Sequence, residues 1–303
     1  MNISKIQEDL QQLAPAGTVK SHEVLKDYVF TQMGGRADIL AEPVTYEEIQ
    51  NIVTYARKND IPLTVLGNGS NVIIRDGGIR GIVLQTSGLN SMGIQGDLLY
   101  AQCGAKIIDV SRYALEQELA GLEFACGIPG TVGGALYMNA GAYGGEVKDV
   151  LQSALAINKA GQLVTLQGDE FQWGYRQSVF ASGEYIVLEA RFALNPGNPA
   201  LIKASMDELT YLRESKQPLE YPSCGSVFKR PPGRYAGQLI QESGLQGTRI
   251  GGAEVSRKHA GFIVNADNAT ASDYIGLIQH VRAAVKDKFG VELETEVEII
   301  GEE

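Results

Sequence analysis

In YPSCGSVFKRPPG, residues 221–233, two candidate nucleophiles stand two positions apart, Cys224 and Ser226, and Lys229 and Arg230 follow. A cysteine attacks as its thiolate, and no histidine neighbours Cys224 in sequence to make one, so Cys224 reads as a small loop residue. Ser226 admits two readings: a turn hydroxyl bonding its own backbone, or a nucleophile. Around this stretch, Arg213, Lys216, Lys229, Arg230 and Arg234 face only Glu214 and Glu220, a local balance of +3 in a chain of net charge −10. Such a patch is either solvated surface or an anion site. The acidic whole argues against general nucleic-acid binding.

Glycine carries the other chemical signal. Gly67, Gly69 and Ser70 follow an apolar strand pattern, but Val72 stands where a dinucleotide fingerprint needs its third glycine. A second strand pattern follows, where that fingerprint opens a helix. From Gly121 to Gly145 eight glycines fall within 25 residues. Loops without Cβ atoms let backbone N–H groups approach phosphate oxygens, so two of them suggest a diphosphate cofactor. Tight turns are the ordinary alternative.

Several elements must position these residues. Thr45 with Glu48 resembles a capping box, and Ile49, Ile52, Val53 and Ala56 continue with helical period, predicting a helix over 45–59. Apolar runs at 62–66, 72–74 and 79–84, punctuated by glycine, predict three strands. Residues 106–119 predict a helix stopped by Gly121, and 271–289 a long helix closed by Gly290. In the last segment, Glu292, Glu294, Glu296 and Glu298 alternate with Val291, Leu293, Thr295, Val297 and Ile299, as in a strand with one acidic face. A composition shift at NPGNPA, 195–200, marks a linker. The expected domains are 1–85 and 86–197, two lobes of one unit, and 198–303.

With 303 residues and 44% hydrophobic content the chain can bury a sizeable core. No apolar run approaches a membrane span, and MNISKIQEDLQQL is charged and amphipathic rather than a signal peptide, so a cytoplasmic protein without membrane contact is expected. Cys103, Cys126, Cys224 and His22, His259, His280 lack metal-ligand spacing; neither disulfide nor metal site is expected.

Six segments in order, TQMGGRAD (31–38), LGNGSNVIIRDGGIRG (66–81), GLEFACGIPGTVGGALYMNAGAYGGE (121–146), YRQSVF (175–180), CGSVFKRP (224–231) and LETEVEIIG (293–301), closely resemble the UDP-N-acetylenolpyruvoylglucosamine reductase family. The short spacing between YR and CGS resembles the shorter of its two subtypes. The resemblance implies an α+β protein: a two-lobed FAD-binding fold of the vanillyl-alcohol-oxidase type and a smaller α+β substrate-binding domain, whose last strand packs back toward the flavin. It implies non-covalent FAD, NADPH as co-substrate, a UDP-sugar substrate and a monomer, in bacterial peptidoglycan precursor synthesis.

By motif match it implies roles for single residues. Arg176 meets the substrate carboxylate, Ser226 donates the proton, and Glu296 helps polarise the enolpyruvyl group. FAD falls to Gly67, Asn68, Gly69, Ser70, Asn71, Gly127, Ile128, Pro129, Gly130, Gly133, Gly134, Ala140 and Gly141. The nucleotide sugar falls to Tyr175, Arg213, Lys216 and Lys229, while Arg230 departs from the asparagine common in the family. The rivals are another flavin oxidoreductase of the same fold acting on a small alcohol or sugar, and a non-catalytic nucleotide-sugar binding protein.

Overall fold

Thr45 Oγ1 accepts the Glu48 amide at 3.1 Å and opens the helix Tyr46–Lys58, which buries Ile49, Ile52, Val53 and Ala56 on one face. The computed structural model describes residues 2–303. The Glu48 carboxylate, buried, turns to the amides of Ala16, Gly17 and Val44 at 2.8, 3.1 and 2.8 Å. It therefore ties the helix start to the preceding turns instead of closing a box. The second helix runs Ile107–Glu116, shorter than its pattern, because Leu119–Ala120 leaves it to pair with Asn195–Pro196. The long helix Ala271–Phe289 starts at a Thr270/Asp273 capping box and stops at Gly290, whose φ of +67° is the left-handed stop glycine takes without strain.

Chain contacts define two units, each discontinuous in sequence. The first comprises the residues up to Ser21, Asp38–Asn68 and Gly81–Leu212; the second comprises His22–Ala37, Gly69–Arg80 and Arg213–Glu303. In the first, a four-stranded sheet is ordered Thr18–Ser21, Ala37–Glu42, Ile79–Gln85, Leu63–Leu66, its last pair parallel. A five-stranded antiparallel sheet is ordered Leu163–Gln167, Leu151–Asn158, Tyr185–Ala193, Leu98–Gln102, Met92–Gln95. One apolar cluster, including Ile49, Ile82, Leu99, Phe171 and Phe192, joins these sheets. The composition shift near 195–200 is the start of the helix Pro199–Lys216, whose Ile202 and Met206 pack with Cys126. That packing keeps the helix with the first unit as far as Leu212.

The second unit is built on the long helix. Its Tyr274, Leu277, Ile278, Val281 and Val285 are buried with Val227, Phe228, Val255, Ile263, Leu293 and Val297. A three-stranded antiparallel sheet, Arg249–Ile250, Ala253–Val255 and Ile263–Asn265, accompanies a parallel pair, Glu298–Ile300 with Val72–Ile74. Asp76, in the RDGG stretch, accepts the amides of Ala271 and Ser272, both at 2.9 Å, and the Ser272 hydroxyl at 2.6 Å. A distant segment thus satisfies donors that the first turn of the long helix leaves open. Helices and strands combine as the expected α+β class.

Candidate active site

Ser226 and Glu296 come together through backbone pairing in the second unit. Residues 226–229 run between two neighbours. On one side Ser226 bridges Phe262 and the Val227 amide donates to Gly261 O at 3.0 Å. On the other, Phe228 bridges Thr295, the Glu296 amide donates to Val227 O at 2.8 Å, and the Lys229 amide donates to Glu294 O at 2.9 Å. Gly225, with φ +77°, makes the turn into this segment. Ser226 is exposed, as a donor to a ligand must be. Of the four alternating glutamates, Glu292, Glu294 and Glu298 are exposed and Glu296 alone is half-buried. The last segment is regular strand only at Glu298–Ile300, shorter than its alternation predicts. Asn71, expected among the cofactor residues, turns its side chain to the residues before it: Nδ2 donates to Glu296 O at 3.0 Å, and Asn71 O accepts the Glu298 amide at 3.0 Å.

Cys224, two residues from Ser226, points the opposite way. It is 2% exposed, and burial pushes its thiol up to about 12. Tyr274 Oη donates to Ile263 O at 2.5 Å, which leaves its oxygen to accept from Cys224 Sγ at 3.2 Å. The thiol is a structural donor inside the core.

Arg176 belongs to the first unit, at the tip of a two-residue turn. Gly174 and Gln177 exchange amide bonds of 3.0 and 3.3 Å across its base. Arg176 adopts φ +55°, a left-handed conformation that a residue with a Cβ takes at a cost of about 1 kcal/mol or more. Its guanidinium donates to Gly141 O at 3.1 Å and lies 5.2 Å from the ring of Tyr175, which is half exposed.

The glycine loops meet within the first unit. Asn68 Nδ2 donates to Pro129 O at 2.6 Å, and a Cβ on Gly67 would stand 2.4 Å from Thr131 Oγ1. Gly69 and Ser70 continue into the second unit, where Gly69 O accepts the Phe30 amide and a Cβ at Gly69 would meet Tyr28 O at 2.6 Å. Several loop amides serve the protein itself: Ile128 donates to Ala125 O, Ala140 to Ala135 O, Gly133 to Cys103 O and Gly134 to Thr131 Oγ1. Gly127 through Gly130 nonetheless stay half-buried and Gly134 exposed. The result is a partly open stretch of backbone poor in side chains, and it fits the pyrophosphate of a dinucleotide approached closely by main chain.

Of the basic residues, Arg213 and Lys216 occupy the last turns of the helix Pro199–Lys216, half-buried and exposed respectively. Lys229 Nζ lies 3.7 Å from Glu294, an exposed pair of little energetic weight. Arg230 stacks on Tyr235 at 4.6 Å. Spacing alone gave no reason to single out His259. The structure sets its Nδ1 to accept the Gly261 amide at 3.1 Å, in the segment that registers with Ser226. Nε2 then carries the proton, and burial holds the imidazole below its ordinary pKa, so it is a neutral donor at neutral pH.

An FAD-binding domain model matches residues 37–167, and a model described as UDP-N-acetylenolpyruvoylglucosamine reductase, C-terminal domain, matches residues 217–300. With the glycine cradle, these define an FAD-dependent oxidoreductase of the fold shared by vanillyl-alcohol-oxidase-like flavoproteins. The UDP-N-acetylenolpyruvoylglucosamine reductase 2 of Bacillus cereus (strain ATCC 10987 / NRS 248) is 60% identical over 100% of this chain and 99% of its own length. The UDP-N-acetylenolpyruvoylglucosamine reductase of Shouchella clausii is 60% identical over 99% and 96%. The crystal structure of the Thermus caldophilus UDP-N-acetylenolpyruvylglucosamine reductase superimposes with a TM-score of 0.82 at 33% identity, over 94% of this chain and 100% of that one. The chain belongs to the UDP-N-acetylenolpyruvoylglucosamine reductase family. A glucose dehydrogenase, Phl p 4.0202, shares the fold alone, at 15% identity and a TM-score of 0.52.

Proposed function

We propose that this protein reduces UDP-N-acetyl-3-O-(1-carboxyvinyl)-glucosamine to UDP-N-acetylmuramate, with NADPH as hydride source and non-covalent FAD as carrier. The observation that supports the reading is the backbone pairing that sets the segments of Ser226 and Glu296 side by side, Phe228 bridging Thr295 and the Glu296 amide donating to Val227 O at 2.8 Å. When bound, FAD would supply hydride transfer between NADPH and the terminal methylene carbon of the enolpyruvyl group.

The chain's residues manage the charge and the proton. Hydride addition leaves negative charge on the adjacent carbon, delocalised into the carboxylate. Arg176 stabilises it there; its planar fork meets a carboxylate with two parallel hydrogen bonds and keeps its charge at any working pH. Ser226 gives that carbon its proton, a feasible donor because the carbanion is a far stronger base than an alkoxide. Glu296, half-buried just before the strand Glu298–Ile300, assists polarisation of the enolpyruvyl carboxylate. Arg213, Lys216 and Lys229 attract the diphosphate, and Tyr175 borders the sugar nucleotide. Asn68, Gly69, Ser70, Gly127, Pro129 and Gly130 hold FAD, while Gly67, Gly133, Gly134, Ile128, Ala140, Gly141 and Asn71 shape its loops. Residues 1–85 and 86–197 carry the cofactor, the latter also lending Tyr175 and Arg176 to the substrate, and 198–303 supply the remaining substrate groups.

Anaerobic titration tests this. The purified yellow protein is expected to bleach with NADPH and regain its colour on addition of the enolpyruvyl sugar nucleotide. Failure of that substrate to restore colour would contradict the assignment and favour a different acceptor.

A further inference from the structure

The turn that carries Arg176 has a keeper that lies within the 121–146 segment but is given no role above. Asn139 is fully buried, with φ +43°, at the end of the short helix Val132–Tyr137. Its side chain makes three bonds. Oδ1 accepts the Lys148 amide at 3.1 Å, which fixes which way the carboxamide faces. Nδ2 then donates to Gly174 O at 3.1 Å and to Glu146 Oε2 at 3.1 Å. Gly174 O also accepts the Gln177 amide, the bond that closes the turn over Tyr175 and Arg176. Ser178 Oγ donates to Tyr137 O at 2.8 Å, a second staple between the same two segments.

Arg176 needs such support. Its left-handed backbone is unfavourable for a side chain of its size and persists only where neighbours over-determine it. Its guanidinium rests on Gly141 O, and Gly141 pairs with Glu146 in a small hairpin. Asn139 therefore touches both parts of the frame, the base of the turn through Gly174 and the hairpin through Glu146. Glu146 joins the frame by charge: its bond from Lys148, opposed by burial and helped by Asn139 and the charges of Lys148 and Arg176, holds its carboxyl below the ordinary range.

We propose that Asn139 is a positioning residue for Arg176, holding the Tyr175–Arg176 turn so that the guanidinium meets a substrate carboxylate. The inference rests on the role given to Arg176 above. Asn139→Asp keeps size and tolerance of φ near +43° but removes both donors and sets a carboxylate against Glu146. Reoxidation of the reduced enzyme by the enolpyruvyl sugar nucleotide is expected to slow about 10-fold or more, with flavin content and reduction by NADPH unchanged. In the Arg176→Ala background the same substitution is expected to change reoxidation less than about 2-fold, because a residue acting through Arg176 has nothing left to position. Independently of turnover, amide exchange at Gln177 should quicken. Asn139→Gly, which suits the backbone and deletes only the side chain, carries the same test if the aspartate variant does not fold.

An equal slowing in both backgrounds, a wild-type rate for Asn139→Asp, or unchanged exchange at Gln177 overturns the inference and leaves the role of Arg176 standing. A wild-type reoxidation rate for Arg176→Ala alone sinks that role, and the inference with it.

Discussion

Two segments present the groups assigned to the substrate, and they are held by different means. Ser226 and Glu296 sit on a backbone ladder: Val227, Lys229 and Glu296 donate to Gly261, Glu294 and Val227 across two pairings. Arg176 sits on a strained two-residue turn held from outside by the side chains of Asn139 and Ser178. A ladder made of main chain tolerates changes of side chain, whereas a turn clamped by side chains is only as secure as those residues. Substitutions around Ser226 should therefore act on chemistry alone, and those around Arg176 on geometry as well.

The largest expected effect is at Ser226. Ser226→Ala keeps every rung of the ladder, so the fold and reduction by NADPH should stay intact, while reoxidation by substrate falls ~10²- to 10⁴-fold, as for loss of a general acid. A stopped-flow trace with both steps slowed would mean that the ladder is not independent of its side chains. Arg176→Lys comes next: charge survives but the fork does not, and loss of a charge-assisted bond of about 1.5–3 kcal/mol predicts roughly 10- to 100-fold slower reoxidation. Equal single-turnover rates for wild type and variant would remove Arg176 from the carboxylate.

Smaller effects sharpen the comparison through stability. Tyr274→Phe deletes the hydroxyl between Cys224 and Ile263 O and leaves a buried carbonyl unsatisfied, for a loss of about 1–3 kcal/mol in denaturant unfolding. If reoxidation by the folded variant also fell, the core beneath Ser226 would have to be counted as part of the site. The smallest effect is a pH dependence at Asp76. Burial opposes ionisation there, but the Ser272 hydroxyl and the amides of Ser272 and Ala271 prevail and hold the carboxyl below its usual value. Its folded pKa is depressed, so its stabilisation is present above the ordinary aspartate range and is lost as pH falls through the lowered value. Asp76→Asn should flatten that acid limb by giving up the stabilisation near pH 7 and converging with wild type in acid; an identical acid limb in thermal melts would show that the cap does not titrate.

Much of this was readable from residues in order. Helical spacing found Tyr46–Lys58, and Gly290 closed Ala271–Phe289 at the expected residue. Alternation found the buried set of the last segment, Leu293 and Val297. Alternation treats all four glutamates alike, however, whereas in the structure Glu296 alone of the four is half-buried, on a segment paired with residues 226–229 and bonded by Asn71. Asn139 was invisible for a related reason. Its three bonds go to Lys148, Glu146 and Gly174, partners that neither period nor propensity brings together. The glycines answer to more than one demand, since several are also required by neighbouring protein backbone, as Gly69 is by Tyr28.

The central claim is that the exposed hydroxyl of Ser226, not the buried thiol two residues earlier, supplies the proton. Stopped-flow flavin absorbance, read separately for reduction by NADPH and reoxidation by the enolpyruvyl sugar nucleotide, tests it in Cys224→Ser, Ser226→Ala and Ser226→Cys. Cys224→Ser is expected to match wild type in both steps, and Ser226→Cys to recover part of the reoxidation that Ser226→Ala loses. Reoxidation abolished by Cys224→Ser but untouched by Ser226→Ala would contradict the account and give the proton to the thiol.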